Sequence, residues 1–293
     1  MSLFKNKIKD ICVVLIFVAL LIIGTKFDFK FSDKIYSDRN WLNFFVAIIA
    51  KMPAYFVALY AAISLLVLSL KKENKLDKYF MACIYILGAL LIGMLMFEDV
   101  VEVFTDKIKN HGDLIKYAIA LVVGAALSGY LYFILSKSNI EKLQSEKKEY
   151  LVVVISIAFI VVATFALKEI FERTRFEELL LQHGKFTQWY EIGVGGDSMP
   201  SGHTALAIAL IAEIPYLKKI DLFKGKNYLY YPVIILYTLL IGLSRISYGK
   251  HFLSDVAVGA LVAYCISKVV TWILLGFEEN KLEIKQGSFL DRL

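Results

Sequence analysis

Apolar and polar positions are grouped along this chain in long blocks. Runs rich in Leu, Ile, Val, Ala and Phe lie near 10–26, 52–70, 79–97, 117–136, 150–167, 201–217, 228–244 and 255–276, with polar stretches between them. A bilayer core about 30 Å thick takes roughly 20 mostly apolar residues per helix, so the pattern predicts eight spans. Lipid offers backbone polar groups no partner, which makes such blocks helices. The period-2 alternation of a barrel strand is absent. The predicted fold class is all-α, a polytopic transmembrane helical bundle of about eight spans.

Composition sharpens this picture. Of 293 residues, 58% are hydrophobic, against about 45–50% in soluble domains. The net charge is +6, but the basic residues sit in short clusters between apolar blocks. That pattern fits membrane-flanking lysines and lipid contacts, and no nucleic-acid partner is expected. Lys71/Lys72/Lys75/Lys78, Lys137/Lys142/Lys147/Lys148 and Lys218/Lys219/Lys224/Lys226 predict three cytoplasmic ends, in register with a cytoplasmic amino terminus. The first block follows Lys5, Lys7 and Lys9 and ends at Lys26-Phe27-Asp28 without a small-residue cleavage pattern, so it reads as an uncleaved anchor. Trp41 to Ala50 reads either as an interfacial helix or as the start of the second span. Cys12, Cys83 and Cys265 lie in apolar blocks without ligand spacing and read as packing residues; no metal site or cofactor is expected.

The chemistry concentrates in the second half, in three clusters at helix ends that this topology puts on the outer side. Lys168 and Arg175 close the fifth block. A spacing of seven puts them on one helix face, about 10 Å apart along the axis. Pro200-Ser201-Gly202-His203 opens the sixth block. Proline suits a first helical position, and the free N–H groups of Ser201, Gly202 and His203 then form an anion site. Arg245 ends the seventh block, and His251 and Asp255 stand four apart at the eighth. If the helix has begun by His251, Asp255 takes its Nδ1–H and leaves Nε2 as a nucleophile. Each cluster alone is an ordinary feature; their common order and face is not.

Other residues receive plainer readings. His111 and His183 lie in polar loops. Arg173 reads as an exposed loop arginine with a phosphate contact as the alternative, and Lys250 likewise. Asp197 or Ser198 is a candidate cap of the sixth helix. Trp189 and Tyr190 read as headgroup anchors or as the substrate entrance. Glu213 faces the bundle or the cytoplasmic end.

With these motifs the sequence resembles the type-2 phosphatidic acid phosphatase family, which shares its site with vanadium haloperoxidases. The family signature is Lys-x6-Arg-Pro, Pro-Ser-Gly-His and Ser-Arg-x5-His-x3-Asp. Here it reads Lys168-x6-Arg175-Phe176, Pro200-Ser201-Gly202-His203 and Ser244-Arg245-x5-His251-x3-Asp255. The resemblance covers about residues 150–277. It implies a core over 141–277, with an amino-terminal transmembrane region over 1–140 of unassigned role and a cytoplasmic tail over 278–293. Phe176 departs from the family proline; without it the helix is expected to run on, or to turn at Gly184.

The resemblance implies that Lys168, Arg175, Ser201, Gly202 and Arg245 grip phosphate. His251 would attack phosphorus, Asp255 would orient it, and His203 would protonate the leaving oxygen, without a metal. The implied partner is a lipid phosphate substrate: phosphatidic acid, phosphatidylglycerol phosphate or undecaprenyl diphosphate, met at the extracytoplasmic face of a bacterial cell membrane. Two alternatives stay open. A phosphotransferase would use the same phosphohistidine on another acceptor. A transporter or scaffold would hold its polar groups near the bilayer midplane.

Overall fold

A computed structural model describes residues 2–37, 43, 46, 48–105, 112–193, 195–217 and 227–276. Among them all regular structure is helical. In chain order the elements are α1 (Ser2–Ile35), α2 (Met52–Ser69), α3 (Lys75–Thr105), α4 (Gly112–Leu135), α5 (Ile140–Ser145), α6 (Lys147–Phe171) and α7 (Phe176–Leu180). There follow α8 (Gly202–Ala209), a 3-10 turn (Leu210–Glu213), α9 (Ile214–Leu217), α10 (Asn227–Ser247), α11 (Leu253–Thr271) and a π turn (Trp272–Gly276). Seven of the described helices are long and apolar enough to cross a membrane. The expected sixth span, 201–217, is a shorter apolar run broken by the 3-10 turn. The tail over 278–293 and half of 41–50 lie outside the described residues.

The chain divides into two units. The first comprises Met1–Ala54, Ala158–Ile211 and Gly225–Cys265. In it, α1 runs to Ile35, past the end expected near residue 26. Leu20, Phe31 and Ile35 of α1 pack against the buried cluster of Ile246, Leu253 and Val256. Their spacing of four and eleven residues keeps one helix face turned to that cluster. Ala50, Ala207 and Ile241 form a second core, closed by Val46 and Tyr237. The Tyr264 hydroxyl donates to Asp10 at 2.6 Å, tying the start of α1 as well.

The second unit comprises Tyr55–Ile157, Ala212–Lys224 and Ile266–Leu293. Here α3 and α4 lie backbone to backbone: a Cβ on Gly124 would stand 2.4 Å from the Gly93 carbonyl carbon. Close approach through small residues is how helices associate in lipid. Large apolar side chains such as Leu87 and Val122 remain exposed on the two helices. Tyr60, Tyr150 and Tyr216 pack with ring centroids 5.5–6.1 Å apart, and the Tyr150 hydroxyl donates to Glu146 at 2.5 Å. Glu213 is buried in this unit.

Candidate active site

All the predicted site residues fall in the first unit. His251 is not on a helix, because α11 begins only at Leu253. Its Nδ1 lies 2.6 Å from the Ser198 carbonyl oxygen. A carbonyl can only accept, so Nδ1 carries the proton and Nε2 holds the lone pair. The tautomer is the expected one, but its partner is not Asp255. From the first turn of α11, that carboxylate reaches back to accept from the Phe252 N–H at 2.7 Å, as the returning half of a capping box does. The same oxygen accepts from the Ser198 hydroxyl at 2.6 Å. Asp255 therefore acts on the ring through Ser198, whose hydroxyl it fixes and whose carbonyl holds the imidazole. Burial keeps His251 well below the ordinary imidazole range, and the positive charges of Lys168, Arg245, Arg175 and His203 act in the same sense.

Arg173 corrects the reading of an exposed loop arginine: it is 1% exposed. Its Nη1 donates to Asp255 Oδ1 at 2.6 Å and to Ser254 Oγ at 2.7 Å, and its Nη2 donates to Asp28 Oδ2 at 3.0 Å. Its Nε donates to the Thr187 carbonyl at 3.0 Å. The guanidinium stacks 4.3 Å from the Phe252 ring centroid, a favourable cation–π distance. Asp28, from α1, also accepts from the Ser254 N–H at 2.9 Å and from the Ser254 hydroxyl. Gly24 makes this approach possible, since a Cβ there would lie 2.9 Å from Ser254 N. So α1, expected to have no derivable role, supplies a buried charge to the site. No local signal marked it, because Asp28 stands among Lys26, Lys30 and Asp33 at the polar end of the first block.

The first motif does not lie on one helix. α6 stops at Phe171, and Glu172 takes a left-handed φ of 42° that reverses the chain. Helix continuation and a turn delayed to Gly184 are both corrected. In place of the family proline, Phe176 buries its ring against Phe29, Tyr36 and Phe252. Arg175 becomes the residue before α7, its N–H satisfied by Glu178 at 2.9 Å. Asp197 brings Lys168 and Arg175 together: its carboxylate lies 2.6 Å from Arg175 Nε and 3.8 Å from Lys168 Nζ. Asp197 and Ser198 cap no helix.

In the second motif the helix starts at Gly202, two residues after the proline, and Ser201 is its cap. Ser201 is fully buried, its N–H donates to the Asp255 carbonyl at 3.0 Å, and its hydroxyl lies 3.0 Å from Thr204 Oγ1. The Ser201 N–H, expected to face an anion, is thus committed within the fold. Gly202 faces open space: a Cβ there would meet nothing within 4 Å. His203 follows in the first turn of α8, half-buried. Arg245, 6% exposed, sits in the last turn of α10 with its guanidinium 5.8 Å from the Tyr248 ring.

The remaining predicted residues stand outside this arrangement. His183 is exposed and His111 lies outside the described residues. Lys250 pairs with Glu177 at 2.5 Å. Trp189 donates from Nε1 to Thr25 Oγ1 at 2.9 Å, which fastens the loop to α1. Among the described residues no group of three or more His, Cys, Asp or Glu is placed to hold a metal ion.

The described residues are helical, with seven helices of membrane length, and they set a buried imidazole in the positive field of Lys168, Arg245, Arg175 and His203. Residues 149–278, somewhat under half of the chain, match the model of the PAP2 superfamily. Members of that superfamily are in general phosphatases, which supports a phosphoric-ester hydrolase at the level of the family. No curated protein and no solved structure matches the chain.

Proposed function

We propose that this chain is a membrane phosphatase that removes a phosphate from a lipid-like substrate through a phosphohistidine on His251. The observation that carries the reading is the surroundings of that ring. Its Nδ1 is bound to a carbonyl, which leaves Nε2 the lone pair, and the cations acting on it come from all three motifs. A neutral imidazole is a nucleophile at physiological pH, and fixed positive charge stabilises the equatorial oxygens of a transferring phosphoryl group.

In the first step Nε2 attacks phosphorus in line, a P–N bond forms, and the bond to the leaving oxygen breaks. His203 delivers a proton to that oxygen. The ring, now cationic, keeps its Nδ1–H on the Ser198 carbonyl, held in turn by Asp255. In the second step His203 takes a proton from water, the water oxygen attacks phosphorus, the P–N bond breaks, and inorganic phosphate leaves. Lys168, Arg175, Arg245 and the open backbone at Gly202 grip the phosphate; Ser201 supports them from beneath.

The apolar helices favour a substrate whose tails stay in lipid, and the lysine pattern favours an extracytoplasmic site. Phosphatidic acid, phosphatidylglycerol phosphate and undecaprenyl diphosphate are the candidate substrates. The test is purified protein assayed in EDTA against these three for released inorganic phosphate, with acid-labile labelling of the protein by substrate phosphate. His251→Ala is expected to abolish both signals while protein still accumulates in membranes. Turnover within about tenfold of wild type would refute the nucleophile assignment.

A further inference from the structure

Lys168 and Arg175 already hold an anion, and it is a side chain of this chain. Asp197 Oδ1 lies 2.6 Å from Arg175 Nε, and its Oδ2 lies 2.7 Å from Nη2. Lys168 Nζ stands 3.8 Å from Oδ2 and also bonds the Asp197 carbonyl. This two-pronged contact with a guanidinium is the one a phosphate would otherwise take. The pair is open to solvent: the Asp197 side chain is 52% exposed, Arg175 25% and Lys168 17%. The backbone on either side is fixed. Gly196 N–H donates to the Glu172 carbonyl at 3.0 Å and Ser198 N–H to the Arg173 carbonyl at 2.8 Å. A Cβ on Gly196 would come within 2.3 Å of the Arg173 backbone, so the loop cannot stand off with any other residue there. Asp197 can leave the cations by rotating its side chain outward, while its carbonyl stays against Lys168.

We propose that Asp197 is a specificity-determining residue, an internal competitor that admits phosphate groups with two negative charges and keeps out those with one. The inference rests on the phosphatase reading of the site. A phosphodiester carries a single charge, as the carboxylate does. It cannot displace a tethered group that has no translational freedom to lose. A terminal phosphate carries about 1.5 to 2 charges at pH 7 and gains correspondingly more from the two cations. The surrounding lipid presents phosphodiester headgroups at high local concentration. Without the carboxylate they would occupy the cations and block turnover.

The test uses the purified full-length protein in detergent, hydrolysing short-chain phosphatidic acid with short-chain phosphatidylglycerol as the competing diester. In Asp197→Asn the inhibition constants of the diester and of inorganic phosphate are both expected to fall, by a similar factor of up to about fivefold, which brings the diester into its blocking range. Asp197→Ser runs in parallel in case the asparagine variant does not fold, and Asp197→Glu should restore exclusion of the diester. A second readout needs no turnover: stabilisation against heat by inorganic phosphate and by dimethyl phosphate, in wild type and variants. Equal diester binding in wild type and neutral variants overturns the filter. Weaker binding of inorganic phosphate in those variants also overturns it and makes Asp197 a support for the two cations. If wild type releases no phosphate while the thermal shifts still differ, the phosphatase reading fails and the charge filter stands.

Discussion

Arg173 and Arg175 stand two positions apart, and each pairs with aspartate, yet the pairs live in different dielectrics. Arg173 is 1% exposed and lies between Asp28 and Asp255, whose side chains are 1% and 0% exposed. Arg175 is 25% exposed and faces an Asp197 side chain that is 52% exposed. In the interior each charge has lost its water, so no partner can be removed cheaply. At the mouth, water stands ready to replace either partner, and the pair holds only loosely. The same chemistry therefore does two jobs. The inner pair fixes the frame around His251; the outer pair occupies a place that an incoming anion can take.

The inner pair gives the largest expected effect. Arg173→Met keeps the length of the side chain but leaves two buried carboxylates without their cation. Breaking a buried ion pair from one side costs about 3–5 kcal/mol, so the thermal midpoint in detergent should fall steeply. Asp28→Asn is the graded arm. The amide oxygen can still accept from the Ser254 N–H, and the cost should be about 1–3 kcal/mol. Because Asp28 touches Arg173 and Ser254 but none of the outer cations, its loss should lower kcat while leaving KM within about twofold. A midpoint equal to wild type in Arg173→Met would mean that the inner pair does not hold the frame.

His251 sits between the two environments and gives the next effect. Its folded value lies below the ordinary 6.5. Above that pH both folded and unfolded chains carry it neutral, and it adds no pH dependence. As pH falls through about 6.5 the unfolded chain takes up a proton that the folded chain refuses, so stability is lost. The slope from this one group is at most about 1.4 kcal/mol per pH unit. Midpoints measured from pH 8 to pH 5 should therefore fall less steeply in His251→Gln than in wild type. Equal slopes would show that the ring titrates normally in the folded protein.

Much of the outer half of this comparison was legible in the sequence, and little of the inner half. Lys168, Arg175, His203, Arg245 and His251 stand at fixed spacings, and charge in a motif announces itself. The apolar blocks likewise announced an all-α membrane fold, because lipid leaves the backbone only helices or closed barrels and the alternation of a barrel is absent. Arg173 looked like an exposed loop arginine because nothing near it in sequence shows a buried partner, whereas just after the left-handed Glu172 it lies buried between Asp28 and Asp255. Asp28 looked like the polar end of a span, since nothing local shows a partner 145 positions away. Asp255 was assigned to the imidazole from an i,i+4 argument that holds only inside a helix, and α11 starts two residues too late for it. Ser201 was read as an anion donor for a similar reason: the helix was expected to open at Pro200, whereas it starts at Gly202 and the Asp255 carbonyl takes the Ser201 N–H.

The smallest expected effect is the one that separates the two pairs most cleanly. Asp197→Asn removes a carboxylate ion-paired with a guanidinium at 2.6 Å, the same distance as in the Arg173–Asp255 pair. If contact distance set the strength of an ion pair, the two would matter equally. Half of the Asp197 side chain is in water, however, and Arg175 and Lys168 regain hydration when it is gone. Exposed pairs contribute about 0–1 kcal/mol, so the thermal midpoint of Asp197→Asn should stay close to that of wild type. A fall as large as that of Arg173→Met would mean that the outer pair also holds the frame. Asp197 would then be a structural residue unable to yield its place to a phosphate.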